Sequence, residues 1–370
     1  MRSLRVVLCL AMLAALAWGQ QPADPERLFR EAVSAQQRGD NALAVQQYRR
    51  IVELRPDFVS AWVNLGVALV QLKQFPEAIE SYQRALALDP KNRDVQFYLA
   101  LAYLKNRDEF GASGQLEKLA KTDPKDLRVA ILLGDCYLQL GEYDRALTLL
   151  APLAKAAGDN ADFLWVFGSV LISNGRLRDG VALVERVAKQ TQAPDAYLLA
   201  GRTLFRLNEF ERARDSLETA ARLNPNLPGV YTALGMARVR MVDNPGAMEA
   251  FRKGLEREPN DFEANFGLGS LLYYERDLGT ARTYLDRALR IDPSSVLARY
   301  EMALVEKAAG EFEAAAADLE TVVKADPNYL NAHIELAALY FRLKRVEDGA
   351  RERQIVDRLS EAERRAGPGK

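Results

Sequence analysis

A chain of 370 residues would ordinarily divide into two or three globular domains, and 49% hydrophobic with 27% charged residues excludes both a disordered chain and a multispanning membrane protein. A formal net charge of -1 gives no sign of the clustered basic surface that nucleic acid demands. What organises the chain is periodicity, and it begins after a leader of different character.

Arg2 and Arg5 precede an almost unbroken apolar run, Val6 to Trp18, and Ala17-Trp18-Gly19 fits a small-x-small cleavage site before Gln20. This order reads as a secretory signal peptide over residues 1–19, because about 13 apolar residues fall short of the roughly 20 needed to span a bilayer. The mature chain is therefore expected in the periplasm or outside the cell, with residues 20–24 as a short linker. Cys9 lies inside the apolar run without a lipobox ahead of it, so lipid anchoring is not expected. Removal of the leader leaves Cys136 as the single cysteine, which can make no internal disulfide and is expected to pack as a small apolar residue.

From Pro25 onward small residues recur at intervals of 34 with a single interval of 33: Ala32, Gly66, Ala100, Gly134, Gly168, Gly201, Gly235, Gly269, Ala303 and Ala337. A second series of Ala or Gly, from Ala44 to Gly349, follows each of them by 11 or 12 residues. Prolines at 56, 90, 124, 225, 259, 293 and 327 close the units, and only the sites of Gly158 and Gln192 are skipped. A fixed period of this kind predicts a solenoid whose repeats bury their apolar faces against their neighbours. Within Val59 to Asn92, Trp62, Leu65, Leu69 and Leu72 lie on one helical face, and Ala78, Ile79, Tyr82, Leu86 and Leu88 on a second. Each repeat is thus an antiparallel helix pair, with Gly66 and Ala78 letting the two backbones approach.

Ten repeats begin at Pro25, Val59, Arg93, Leu127, Ala161, Pro194, Pro228, Phe262, Val296 and Leu330, and they carry the solenoid to residue 363, before a flexible tail at 364–370. Pro152 falls inside a second helix, and together with Gly158, Gly180, Gln192 and one missing residue it suggests a bend or joint within residues 150–193. In the last repeat Arg353 stands where large apolar residues stand elsewhere, as suits a solenoid end that meets water.

The repeat resembles the tetratricopeptide repeat, with Trp, Leu, Gly and Tyr-like residues in its first helix and Ala, Phe or Tyr, Ala and Pro in its second. That resemblance implies an all-α, right-handed superhelical solenoid whose first helices line a concave groove, and a role in binding peptides or partner proteins. Groove-facing residues in this family occupy the second, fifth, ninth and twelfth sites. Here the fifth sites include Phe97, Ile131, Trp165, Leu198, Phe266 and Tyr300, the ninth Leu101 and Met236, and the twelfth Leu104, Phe205, Tyr273 and Phe341. Part of this set is expected to pack within the repeats rather than to meet a ligand. Asp94, Arg128, Asp162, Asp195 and Glu263 form the rim at the second sites, and Arg202 is a further cation at a ninth site. A family subset clamps a terminal carboxylate with Lys and Asn, but Phe29 and Val33 replace those partners and Asn64 alone matches.

No chemistry competes with this reading. His333 is the only histidine and stands at a helix-packing position, so neither a Cys/His pair nor an imidazole zinc site can be assembled. Gly267-Leu268-Gly269 lacks the third glycine of a nucleotide loop and lies mid-helix, and the carboxylates are spread through every repeat as solvated faces and caps. The expectation is a non-enzymatic scaffold that binds a protein or peptide segment in an apolar, aromatic groove, without cofactor, metal, nucleic acid or membrane span. An alternative is the substrate-presenting or regulatory arm of an envelope-assembly or glycan-processing enzyme complex.

Overall fold

A computed structural model describes residues 24–366, so the predicted leader, most of the linker and the last four residues lie outside the described residues. The described chain is helical, with no strand among its residues. It forms two compact bodies that divide between Arg176 and Leu177. The first contains α1 (Pro25–Gln37), α2 (Asn41–Leu54), α3 (Val59–Gln71), α4 (Phe75–Leu88), α5 (Arg93–Lys105), α6 (Glu109–Thr122), α7 (Leu127–Gln139), α8 (Tyr143–Leu150), the one-turn α9 (Ala154–Ala157) and α10 (Ala161–Ser173). The second contains α11 (Leu177–Thr191), α12 (Pro194–Arg206), α13 (Phe210–Leu223), α14 (Val230–Arg240), α15 (Asn244–Leu255), α16 (Phe262–Tyr274), α17 (Leu278–Ile291), α18 (Val296–Ala309), α19 (Phe312–Ala325), α20 (Leu330–Arg342) and α21 (Val346–Ala366). Within each body, the longer helices pack on their successive neighbours. The first helices begin where the period starts each repeat, apart from the seventh. There Gly229 takes a left-handed φ of 68° and α14 begins at Val230 rather than Pro228. At the other end α21 runs to Ala366, past the expected start of the tail.

The small residues sit under large ones. A Cβ on Gly66 would lie 2.6 Å from the Tyr82 ring, and one on Gly235 would lie 2.5 Å from Phe251. Gly134, Gly201 and Gly269 face Leu150, Leu217 and Leu285 in the same way, each partner sixteen residues onward. Those large partners are buried throughout, and Arg353, which takes their place in the last repeat, is exposed. The hydrophobic effect supplies the attraction, about 25 cal/mol per Å² of apolar surface, but the missing side chain sets how closely the helices approach.

Turns between the paired helices are equally uniform. Residues 39, 73, 107, 141, 175, 208, 242, 276, 310 and 344 all take a positive φ, although only four of them are glycine. The next backbone N–H in every case bonds a carbonyl five residues earlier, as in Gln74 to Leu69 at 2.9 Å and Asp243 to Arg238 at 2.9 Å. This is the Schellman closure, and it holds even Val242, a β-branched residue for which left-handed backbone is costly.

Backbone geometry also accounts for the two skipped prolines. Gly158 and Gln192 have φ of 57° and 53°, which the proline ring, fixed near -65°, cannot adopt. Around Pro152 the helix gives way to a 3-10 turn, Ala151–Leu153, while Leu150, Leu153 and Ala157 remain buried. Cys136 is fully buried, and burial pushes its thiol up to about 12, so it packs as an apolar side chain.

Replacing Gly134 by Leu forces a side chain into a space where even a Cβ would be 2.8 Å from Leu150 Cδ1. Gly134→Leu should lose about 1–3 kcal/mol in urea unfolding followed by circular dichroism. Lys125→Leu, in an exposed turn, should leave the midpoint unchanged.

Candidate functional site

The first helices present most of the anticipated residues, at unequal depth. In the first body Phe97, Leu104, Ile131 and Trp165 are half-buried and pack against the core that contains Leu116, Leu133 and Leu150. Leu101 is half-buried at the edge of a hollow of about 210 Å³ shared with Val67, Val70, Tyr98 and Lys105. The Arg128 guanidinium lies 5.7 Å from the centre of the Phe97 ring, so one rim cation covers an aromatic residue.

In the second body Leu198 is buried and offers little surface, a difference from its expected place in the groove. Phe205 and Met236 instead share a hollow of about 380 Å³ with Leu217 and Ala233. Arg202, Arg206, Asp261 and Glu263 also line it. Local bonds build these walls. The Arg202 guanidinium lies over Gly229, where any side chain would displace it, and donates to the Gly229 carbonyl at 3.4 Å. Gly229 N–H in turn donates to Glu258 at 2.8 Å. Asp261 caps α16 by accepting from Ala264 N–H at 2.8 Å, and its other oxygen accepts the Thr232 hydroxyl at 2.9 Å. Arg206 and Glu263 are exposed.

Farther along, Phe266 stacks on Phe262 with ring centres 6.0 Å apart, and Tyr273 and Tyr300 are half-buried. Phe341 is 41% exposed and lies against Gly349. The rim residues Asp94, Asp162 and Asp195 are exposed, as the repeat register requires.

One recurrent contact lies away from the groove-facing sites. The fourth residue of a repeat donates a side-chain N–H to the carbonyl of the closing proline six residues earlier: Trp62 to Pro56 at 2.8 Å, Gln96 to Pro90, Asn265 to Pro259 and Arg299 to Pro293, each at 3.0 Å. His333 Nε2 occupies the same place 3.1 Å from the Pro327 carbonyl, and its Nδ1 faces Glu352 at 2.5 Å. The lone histidine is thus a repeat-joining residue whose second nitrogen secures α21. The sequence signal was available, since these unlike side chains share an N–H at one repeat position.

No group of His, Cys, Asp and Glu suited to a metal ion occurs among the described residues. No described helix is long and apolar enough to cross a membrane.

With the fold and this surface defined, comparison identifies the class. The tetratricopeptide repeat model matches residues 29–93, 166–228 and 232–296, and a second model of the same description matches 306–365. The model of anaphase-promoting complex, cyclosome, subunit 3 matches residues 81–153. The chain belongs to the tetratricopeptide repeat family.

Among curated relatives, the peroxisomal targeting signal receptor of Saccharomyces cerevisiae is 23% identical over 225 residues, covering 61% of this chain and 33% of the relative. The BBSome complex member BBS4 of Bos taurus is 24% identical over 289 residues, covering 77% of this chain and 55% of the relative. The chain therefore spans about a third to about half of these relatives. A solved structure titled YrrB, a TPR protein with an unusual peptide-binding site, aligns with a TM-score of 0.44 at 22% identity, over 50% of this chain and 95% of that one.

Glu306, in α18, carries a pH-dependent contribution to stability. Burial is the main cause that raises its pKa to about 7; Asp318, Glu311 and Asp286 add to the rise and Arg282 opposes it. Its Oε2 is buried without a hydrogen-bond partner among the described residues. A carboxyl that binds its proton more tightly when folded makes stability fall as pH rises from the ordinary carboxylate range to about 7. Glu306→Gln should match the parent near pH 5 and exceed it near pH 8 by about 1 kcal/mol after allowance for solvent screening, as read from urea midpoints at the two pH values.

Proposed function

We propose that the chain is an exported, non-catalytic scaffold that binds a segment of a partner protein along the face formed by its first helices. The observation that carries this reading is the hollow at Phe205 and Met236, whose lining combines apolar residues with Arg202, Arg206 and Glu263. An apolar side chain of an extended or helical segment suits its floor, while the opposed charges suit the polar backbone and flanking groups of that segment. Similarity to a targeting signal receptor supports a receptor-like use of the array. Scattered, capped and paired carboxylates, as at Asp261, support a binding role over a catalytic one.

The test compares captured chains. Phe205→Glu should reduce recovery of the partner by at least roughly tenfold in affinity purification while retaining the helical circular dichroism signal, because the introduced charge is desolvated on binding. Arg84→Glu, at an exposed position in α4, should retain the partner. Phe97 is the poorer probe, since it packs on the core. Unchanged recovery with Phe205→Glu would remove this hollow as the binding surface.

Export is tested separately by the intact mass of the chain after expression in a secretion-competent host. A start at Gln20 or within a few residues is expected, and a product retaining Met1 would count against export.

A further inference from the structure

At the end of a helix pair away from its turn, the loop that leads into the first helix lies against the last turn of the second. In the eighth repeat this end holds a hollow of about 570 Å³, lined by Pro259 and Asn260 ahead of α16 and by Arg287, Arg290 and Ile291 at the end of α17. Arg287 and Arg290 stand three residues apart and so share one face of α17.

The same place in the seventh repeat is fully engaged. There Lys253 pairs with Glu249 at 2.7 Å and Glu256 with Arg257 at 3.6 Å, and the Arg257 guanidinium donates to the Asn226 side chain at 3.3 Å. One period of 34 residues onward, Thr283 replaces Glu249, Arg290 replaces Glu256 and Ile291 replaces Arg257, while Arg287 and Asn260 succeed Lys253 and Asn226. Two carboxylates are lost, and the arginine that reaches the loop asparagine gives way to a shorter apolar residue.

What remains is a set of donors without acceptors. Arg287, Arg290 and Asn260 are exposed and make no ion pair or side-chain hydrogen bond among the described residues; Arg287 lies only over the Tyr284 ring, 5.3 Å from its centre. Neighbouring carboxylates are otherwise employed. Asp261 accepts from Ala264 N–H and the Thr232 hydroxyl, and Asp292 accepts from the N–H and hydroxyl of Ser294. Asp286 adjoins Arg287 in sequence but lies about 100° around the helix. The negative end of α17 is worth about half a charge, less than either arginine.

We propose that this hollow binds a small phosphate monoester. Two guanidiniums and a carboxamide offer more N–H groups than one carboxylate accepts, and they match the several outer oxygens of a phosphate. Pro259 and Ile291 supply apolar surface for the carbon chain that carries it. The site does not depend on the binding role proposed for the hollow at Phe205.

Calorimetric titration of the full chain with glycerol 3-phosphate at low ionic strength tests the site. Saturable binding is expected, and inorganic phosphate should bind severalfold more weakly because it lacks the carbon chain. Arg287→Gln and Arg290→Gln should each weaken glycerol 3-phosphate roughly tenfold. Arg290→Glu, which restores the residue type of the seventh repeat, should abolish binding. Circular dichroism should be unchanged in all three, since both arginines are exposed. Arg84→Glu, in the other body, makes the same change of net charge and should keep the affinity. Absence of saturable binding would overturn the proposal, and so would full affinity in both glutamine variants, by placing the phosphate elsewhere. Equal affinity for inorganic phosphate would overturn the monoester assignment. Sedimentation with phosphatidic acid vesicles, without binding of glycerol 3-phosphate, would also overturn it and assign the arginines to a membrane surface.

Discussion

The distance between the two helices of a repeat is set where a residue with little or no side chain lies beneath a large one. Tyr82 over Gly66, Leu150 over Gly134 and Phe251 over Gly235 are chemically different pairs with the same geometry. Close approach there brings the rest of each helix pair into contact and leaves the outer side of the first helix for other uses. Apolar burial makes the pair stable, but many helix pairs bury comparable surface. The small residue selects one crossing among them, because only at that point can the backbones move together without displacing a buried ring.

Much of this was legible in the sequence, since spacing requires no knowledge of what a repeat contacts. The 34-residue recurrence identified helix pairs, and burial of the small and large residues follows the same register. Exceptions arise where backbone conformation departs from residue preference. Lys73, Arg107 and Val242 adopt left-handed turns that no glycine announces, because their positions are imposed by hydrogen bonds from both adjoining helices. At Gly229 the reverse occurs, and a glycine inside the expected start of a repeat shifts that start by two residues. Proline is missing at residues 158 and 192 for a conformational reason, visible only once φ is known.

The surface was less legible than the scaffold. A fifth or twelfth site identifies the face of a helix, but the size of neighbouring side chains decides how far a residue emerges. Leu198 is buried by its surroundings while Phe341 remains open, although both occupy sites expected to face a groove. Charged residues were harder still, since most serve as caps or pair on solvated faces. The fourth-site donors were missed for a related reason: Trp62, Gln96, Asn265, Arg299 and His333 share an N–H group rather than a side-chain class.

The left-handed turn in each repeat separates conformation from recognition. Its geometry is held by backbone bonds, and at residues such as Lys73, Arg276 and Val242 the side chain projects into solvent. Exchanging such a side chain alters the energy of the turn without altering any surface that a partner would read. In an array whose stability is close to a sum over neighbouring repeats, these turns act as independent dials. Rigidity can be graded along the chain, so that one stretch opens more readily than another while every stretch keeps the same binding face.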